Sequence, residues 1–263
     1  MSKTLGLALG SGGSRGIAHA GVLLALEEAG IRPDFIAGCS MGSVVGGCFS
    51  AGMSAEKIRD IALELKVRDL IDISPGFVSR MSILRSKKME ELLSEFLGEI
   101  KIEDMKIPFR CVATDLYSGK LHVFESGPAV PAIQASSTIP CVFKPVEYEG
   151  MLLVDGGCLC RIPSRQVKEM GADVVIAVDA LINTYEPVEK VGNILELVLR
   201  VFDIMDSQQT KMHRIIDGDI ADLLLEPEIK GMSQYQIKDL DRAFDEGYKL
   251  CKENIDKIRE LLI

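Results

Sequence analysis

The sequence predicts an α/β fold built on a mostly parallel sheet covered by helices on both faces. Three observations carry this. Short apolar runs alternate with segments of helical periodicity along most of the 263 residues. Runs such as TLGLAL (4–9) and the start of GMLLVDGG (150–157) are almost continuously apolar, the pattern of strands buried on both faces. No proline- or serine-rich linker, internal repeat or low-complexity tract divides the chain, so one domain over residues 1–263 is expected.

The elements follow in order. A strand at 4–9 runs into a glycine-rich turn, and residues 17–30 read as an amphipathic helix stopped by Gly30. PDFIAG (33–38) is a second strand and MGSVVGGCFSAG (41–52) a helix of small residues. Ser54 caps a third helix over 54–65, with Glu56 in its first turn. Residues 66–84 are aperiodic, and 86–98 return to helix. Two strands, 107–116 and 120–127, precede a short helix over 129–140 that Pro140 ends. An apolar strand at 150–157 closes on two glycines. Residues 162–180 read as helix, glycine stop and strand. A long helix over 192–216, a strand over 221–229 and a helix over 237–262 complete the chain.

The composition narrows the function classes. A net charge of −9 excludes a nucleic-acid backbone as a general partner, but an acidic protein can still present a small apolar patch to lipid. The N-terminus lacks an apolar stretch with a cleavage site, and every apolar run is interrupted before the ~20 residues of a membrane span. The seven cysteines do not form paired CxxC units and read as small buried hydrophobes of a reducing compartment, with no structural metal. A cytoplasmic location follows as an expectation, with room for peripheral contact at the inner membrane surface.

Two glycine-rich turns carry the chemistry. GSGGSRG (10–16) lies between a strand and a helix, where such loops hold phosphates or developing negative charge. The dinucleotide fingerprint fits poorly: Gly10 and Gly12 are in place, but Arg15 occupies the third glycine position. A phosphate loop is excluded because no lysine precedes a serine or threonine there. The second turn, GCSMG (38–42), is G-x-S-x-G between strand and helix, the setting of a nucleophile elbow. Ser40 is the candidate nucleophile. Gly38 and Gly42 leave room for the sharp turn, and Cys39 and Met41 flank the serine. An attacking serine creates an oxyanion, which Gly12 and Gly13 can meet with amides no side chain shields. Arg15 either holds that loop or attracts an anionic head group.

The serine needs a base. Of the three histidines, His19 sits one turn into the first helix, His122 within a strand pattern and His213 within a charged helical pattern, none of them in a loop after a strand. Asp155, at the end of an apolar strand and followed by two glycines, is the better candidate. In a parallel sheet such strand ends gather at one edge, and desolvation there would raise its pKa toward useful basicity.

With GSGGSRG, GCSMG and DGG in this order, the sequence resembles the patatin-like phospholipases, especially compact bacterial members. ASSTIPCVFKPV (135–146) and GADVVIAV (171–178) extend the likeness to roughly residues 5–180. The resemblance implies a three-layer α/β/α sandwich and a Ser–Asp dyad that cleaves lipid acyl esters without metal or cofactor. Carried over, Ser40 is the nucleophile, Asp155 the base, and Gly10, Ser11, Gly12, Gly13, Ser14 and Arg15 form the oxyanion loop. Lysophospholipids, simple esters or thioesters are alternative substrates, and a lipid-binding module with little turnover is the alternative outside enzymes. Two departures stand out: Met41 makes the elbow bulkier, and Cys160 stands where many relatives carry asparagine. Within 66–84, Phe77 and Met81 are candidates for a lid or an acyl-chain contact.

Overall fold

The computed structural model describes residues 3–65, 87–181, 190–216 and 220–263, without the side chains of 213–216. Five strands run parallel in the spatial order β3 (Phe109–Asp115), β2 (Phe35–Gly38), β1 (Leu5–Leu9), β7 (Val174–Val178) and β8 (Leu223–Leu225). At the β3 end the sheet turns antiparallel. There β4 (Lys120–Phe124) and β6 (Met151–Asp155) both pair with β3, and β5 (Val146–Tyr148) pairs with β6. Helices cover the sheet, so the architecture is a largely parallel α/β/α sandwich, as expected.

Sequence explains the close approaches. All five residues of β1 are buried, and a Cβ on Gly6 would lie 2.0 Å from Val167 Cγ1 of helix α6 (Ser164–Glu169). The glycine therefore lets that helix lie against the sheet. The hairpin joining β5 to β6 turns through Glu149 and Gly150, both at positive φ (47° and 79°), the backbone that matches strand twist in a two-residue hairpin. Sequence reading had not placed β5, because a three-residue strand leaves little periodicity to detect.

Helix α1 (Ala18–Glu28) departs from its expected amphipathic character: eight of its eleven residues are buried. The reason is helix α8 (Leu240–Leu261), which lies across it. A Cβ on Gly21 would sit 2.1 Å from Phe244 O, and one on Gly247 2.1 Å from Ala18 O, so the two backbones meet at paired glycines. Helix α2 (Met41–Ala51) follows β2 directly, and α3 (Ala55–Glu64) begins where Ser54 accepts a hydrogen bond from Lys57 N at 3.3 Å. Helix α4 spans Lys87–Leu97.

Helix α5 (Ala129–Ser136) stops four residues before Pro140. Its end is set by hydroxyls: Ser137 Oγ donates to Ile133 O and Thr138 Oγ1 to Gln134 O, both at 2.7 Å, taking carbonyls at the helix end. Helix α7 (Ile194–Ile216) starts with a capping box, in which Asn193 accepts from Glu196 N at 3.0 Å and Glu196 accepts from Gly192 N at 2.7 Å. No helix among the described residues is long and apolar enough to cross a membrane. The candidate lid, with Phe77 and Met81, lies outside the described residues.

Candidate active site

The ends of β1, β2 and β6 deliver the three predicted motifs to one place, but β6 runs antiparallel to β3, so Asp155 arrives opposite Ala113 and not by the shared edge of parallel strands that the sequence suggests. Ser40 follows β2 and caps α2 with φ 53° and ψ −124°, a conformation that costs a non-glycine residue about 1–3 kcal/mol and persists only where its surroundings enforce it. Those surroundings are tight. A Cβ on Gly38 would approach Gly42 O to 2.5 Å, and one on Gly42 would approach Leu9 O to 2.1 Å. Ser43 Oγ donates to Ser40 O at 2.6 Å, and Ser40 N donates to Ser136 Oγ at 3.1 Å, tying the turn to the end of α5. The positive end of the α2 dipole faces the serine.

Asp155 ends β6, 4% exposed, with the Ser40 hydroxyl among the groups that act on its carboxylate. Asp155 Oδ1 also accepts from Gly157 N at 2.8 Å, and the backbone is pinned through Asp155 N to Thr138 O (2.8 Å) and Thr114 Oγ1 to Asp155 O (3.0 Å). The two glycines that follow are required by contact. A Cβ on Gly156 would lie 2.4 Å from Val112 O, and one on Gly157 would lie 2.9 Å from Ser11 Oγ. Burial pushes the Asp155 pKa up to about 7, against the pull of the Ser40 hydroxyl and the Gly157 amide; the nearby charge of Asp206 adds to the rise. The carboxylate is thus both adjacent to the serine and basic near neutral pH.

The glycine loop lies beside the elbow: Ser11 Oγ and Cys39 Sγ are hydrogen-bonded at 3.1 Å, and Cys39 Sγ is 3.9 Å from Asp155 Oδ1. Four of its six candidate amides are already engaged. Gly10 N donates to Val178 O, Ser11 N to Arg161 O, Ser14 N to Gln234 O and Arg15 N to Gly12 O, at 2.9–3.0 Å. The amides of Gly12 and Gly13, together with that of Met41 at the start of α2, have no protein acceptor among the described residues. Arg15 holds the loop. It is 7% exposed, with Nε donating to Met232 O at 2.6 Å and its guanidinium NH2 bonding the same carbonyl.

Sequence reading gave no role to the residues that fasten this assembly. Arg161, on the turn after Asp155, pairs with Asp179 at 2.7 Å and with Asp206 of α7 at 2.9 Å, all three buried. Its carbonyl accepts from Ser11 N, so one residue links the base turn to the glycine loop. No local spacing reveals such a link, because its partners lie 18 and 45 residues away. Ser136 and Thr138, by contrast, sit in the ASSTIP stretch whose likeness to the family was visible.

The remaining residues take structural places. His19 is fully buried, and burial lowers its pKa to about 4, so the ring is neutral and its Nε2–H donates to Gly10 O at 2.8 Å. His122 lies in β4 with its ring edge-on to Phe124 at 4.5 Å, and His213 lies within α7. Cys160 is half-buried, its thiol 3.6 Å from Gln166 Oε1. No disulfide joins the seven cysteines, four of which are buried. A cavity of about 700 Å³, lined by Arg161, Arg165, Gln166 and Thr210 among others, contains neither Ser40 nor Asp155. Size alone does not make a reaction site; a strained serine beside a carboxylate of raised pKa is the stronger candidate.

Comparison with known proteins agrees with this layout. The family model described as patatin-like phospholipase matches residues 7–167. An uncharacterized NTE family protein of Mycobacterium bovis is 42% identical over 177 residues, covering 67% of this chain and 49% of the relative. A protein of Meyerozyma guilliermondii named lysophospholipase is 27% identical over 281 residues, covering 96% of this chain and 19% of its own length. The chain therefore spans half or less of these curated relatives. Among solved structures, VipD from Legionella pneumophila superposes with a TM-score of 0.51 at 14% identity, over 97% of this chain and 67% of that one, a likeness of fold alone.

Proposed function

The chain belongs to the patatin-like phospholipase family, and on that footing we propose that it is a serine acyl hydrolase of lipid esters working through Ser40 and Asp155. Ser40 Oγ attacks the ester carbonyl carbon while Asp155 takes the hydroxyl proton. The tetrahedral oxyanion is met by the Gly12 and Gly13 amides, with the Met41 amide as a third donor. On collapse the ester C–O bond breaks, and Asp155 returns the proton to the leaving alkoxide. A water molecule then gives its proton to Asp155 and attacks the acyl-enzyme. Loss of the Ser40–carbonyl bond releases the fatty acid and re-protonates the serine.

The observation that carries the reading is the strained Ser40 beside a buried carboxylate with its pKa near 7. An ordinary aspartate, with a pKa of about 3.9, would be a weak base toward a hydroxyl at neutral pH. A base tuned toward the working pH supplies ~10²–10⁴-fold, and each preorganised oxyanion donor ~10²–10³-fold. The name of the Meyerozyma relative makes a lysophospholipid the first substrate to try. Fluorophosphonate labelling followed by peptide mapping tests the proposal: adduct on Ser40 and its loss in Ser40→Ala are expected. A labelled serine elsewhere, or full ester turnover by folded Ser40→Ala, overturns it.

A further inference from the structure

Helix α7 has two faces of opposite character. Its inner face is held to the site: Asp206 pairs with Arg161, Gln209 Nε2 donates to Leu159 O at 3.3 Å, and Asp203 Oδ1 accepts from Gln234 Nε2 at 2.8 Å. Its outer face exposes Ile194 (72%), Leu197 (47%), Val201 (46%), Met205 (65%) and Met212 (53%). The spacings of three, four, four and seven residues place them on one stripe, about 27 Å long at ~1.5 Å per residue. An apolar stripe turned away from the core is the reverse of what a surface helix of a globular protein shows.

We propose that this stripe docks the protein on a zwitterionic lipid surface, an inference that rests on the lipid-ester reading of the site. Charge supports it. In a chain of net charge −9, no carboxylate of α7 lies on the stripe. Asp203 and Asp206 bond on the inner face, and Glu196 is folded back onto the helix cap. Lys211 is exposed beside the stripe, a cation where a carboxylate would repel lipid phosphates. Area separates lipid from a second copy. Full burial of such side chains removes about 60–120 Å² each, so five cover roughly 300–600 Å², below the ~800 Å² per partner of a stable protein interface. A bilayer needs no matching surface and accepts an apolar helix face lying in its interface.

The test uses the full chain carrying Ser40→Ala, so that lipid is not consumed, and phosphatidylcholine vesicles. Co-sedimentation is expected, little changed between 0.1 and 1 M salt, and reduced at least tenfold by Val201→Glu with Met205→Glu. In the chain retaining Ser40, the same pair should cut hydrolysis of vesicle lipid several-fold and leave a short soluble ester untouched. Vesicle binding unaffected by the substitutions, binding only to anionic vesicles at low salt, or a stripe-dependent dimer in sedimentation equilibrium overturns the docking proposal. Failure of the parent chain to cleave any soluble ester would instead overturn the hydrolase reading, so the two outcomes are separable.

Discussion

Residues 7–167, which match the family model, and residues 190–263, which lie beyond it, share one site but contribute to it differently. The first region holds Ser40, Asp155 and the glycine loop, the groups proposed to meet a substrate. The second holds distant acceptors that fasten them. Met232 O binds Arg15, Gln234 O binds Ser14 N, Asp206 binds Arg161, and α8 covers α1. Reacting groups must satisfy a demanding local geometry, which leaves a motif. A fastening needs only an acceptor at the right distance, and many sequences provide one.

If that division is correct, substitutions in the first region remove chemistry and those in the second weaken its support. The largest effect is expected at the reacting pair. Ser40→Ala and Asp155→Asn should each lower kcat/KM by at least ~10³-fold with unchanged circular dichroism, since nucleophile and base act as a unit. Either variant retaining a tenth of wild-type turnover would break the comparison.

Asp155→Asn should also separate activity from stability. The folded carboxyl, with a pKa of about 7, holds its proton more tightly than the unfolded one, at 3.8. Its contribution to stability is therefore complete below pH 4 and lost as pH rises through 7. At pH 8 the asparagine variant should be more stable than the parent, by at most about 4 kcal/mol at ~1.36 kcal/mol per pKa unit. Urea unfolding at pH 5 and pH 8 reads this directly; a variant less stable at both would show that Asp155 is not a buried charge.

In the second region, Gly247→Leu forces a side chain into Ala18 O. It should destabilise the fold by about 2–4 kcal/mol, at the high end of overpacking costs, while the remaining folded molecules keep their kcat. A kcat that fell with an unchanged melting temperature would make α8 part of the chemistry.

Asp206→Asn sharpens the contrast further, because it keeps an oxygen for Arg161 and removes one charge. In the parent, activity should rise with pH through about 7 as Asp155 loses its proton. The Asp206 charge opposes that loss, so its removal should move the acid limb to lower pH. An unmoved limb would reduce Asp206 to a structural tie. Least of all is expected from His213→Ala, which should leave kcat within about twofold, the size of an ordinary change at a residue with no part in the proposed reaction.

The primary structure by itself determined the order of strands and helices apart from β5, the elbow at 38–42 and the identity of Ser40 and Asp155 as candidates. These are local properties: apolar runs, glycines where a Cβ would strike backbone, a carboxylate at a strand end. Tertiary structure decided what depends on distant neighbours. It buried α1 on nearly all sides, because α8 crosses it at Gly21 and Gly247. It turned Arg15 from a possible head-group ligand into a tie to Met232. Among the described residues it left only the Gly12 and Gly13 amides of the glycine loop without protein acceptors, because Val178, Arg161, Gln234 and Gly12 itself supply acceptors to the others. It also raised the Asp155 pKa, since desolvation is a property of everything packed around a group and is written at no single position of the chain.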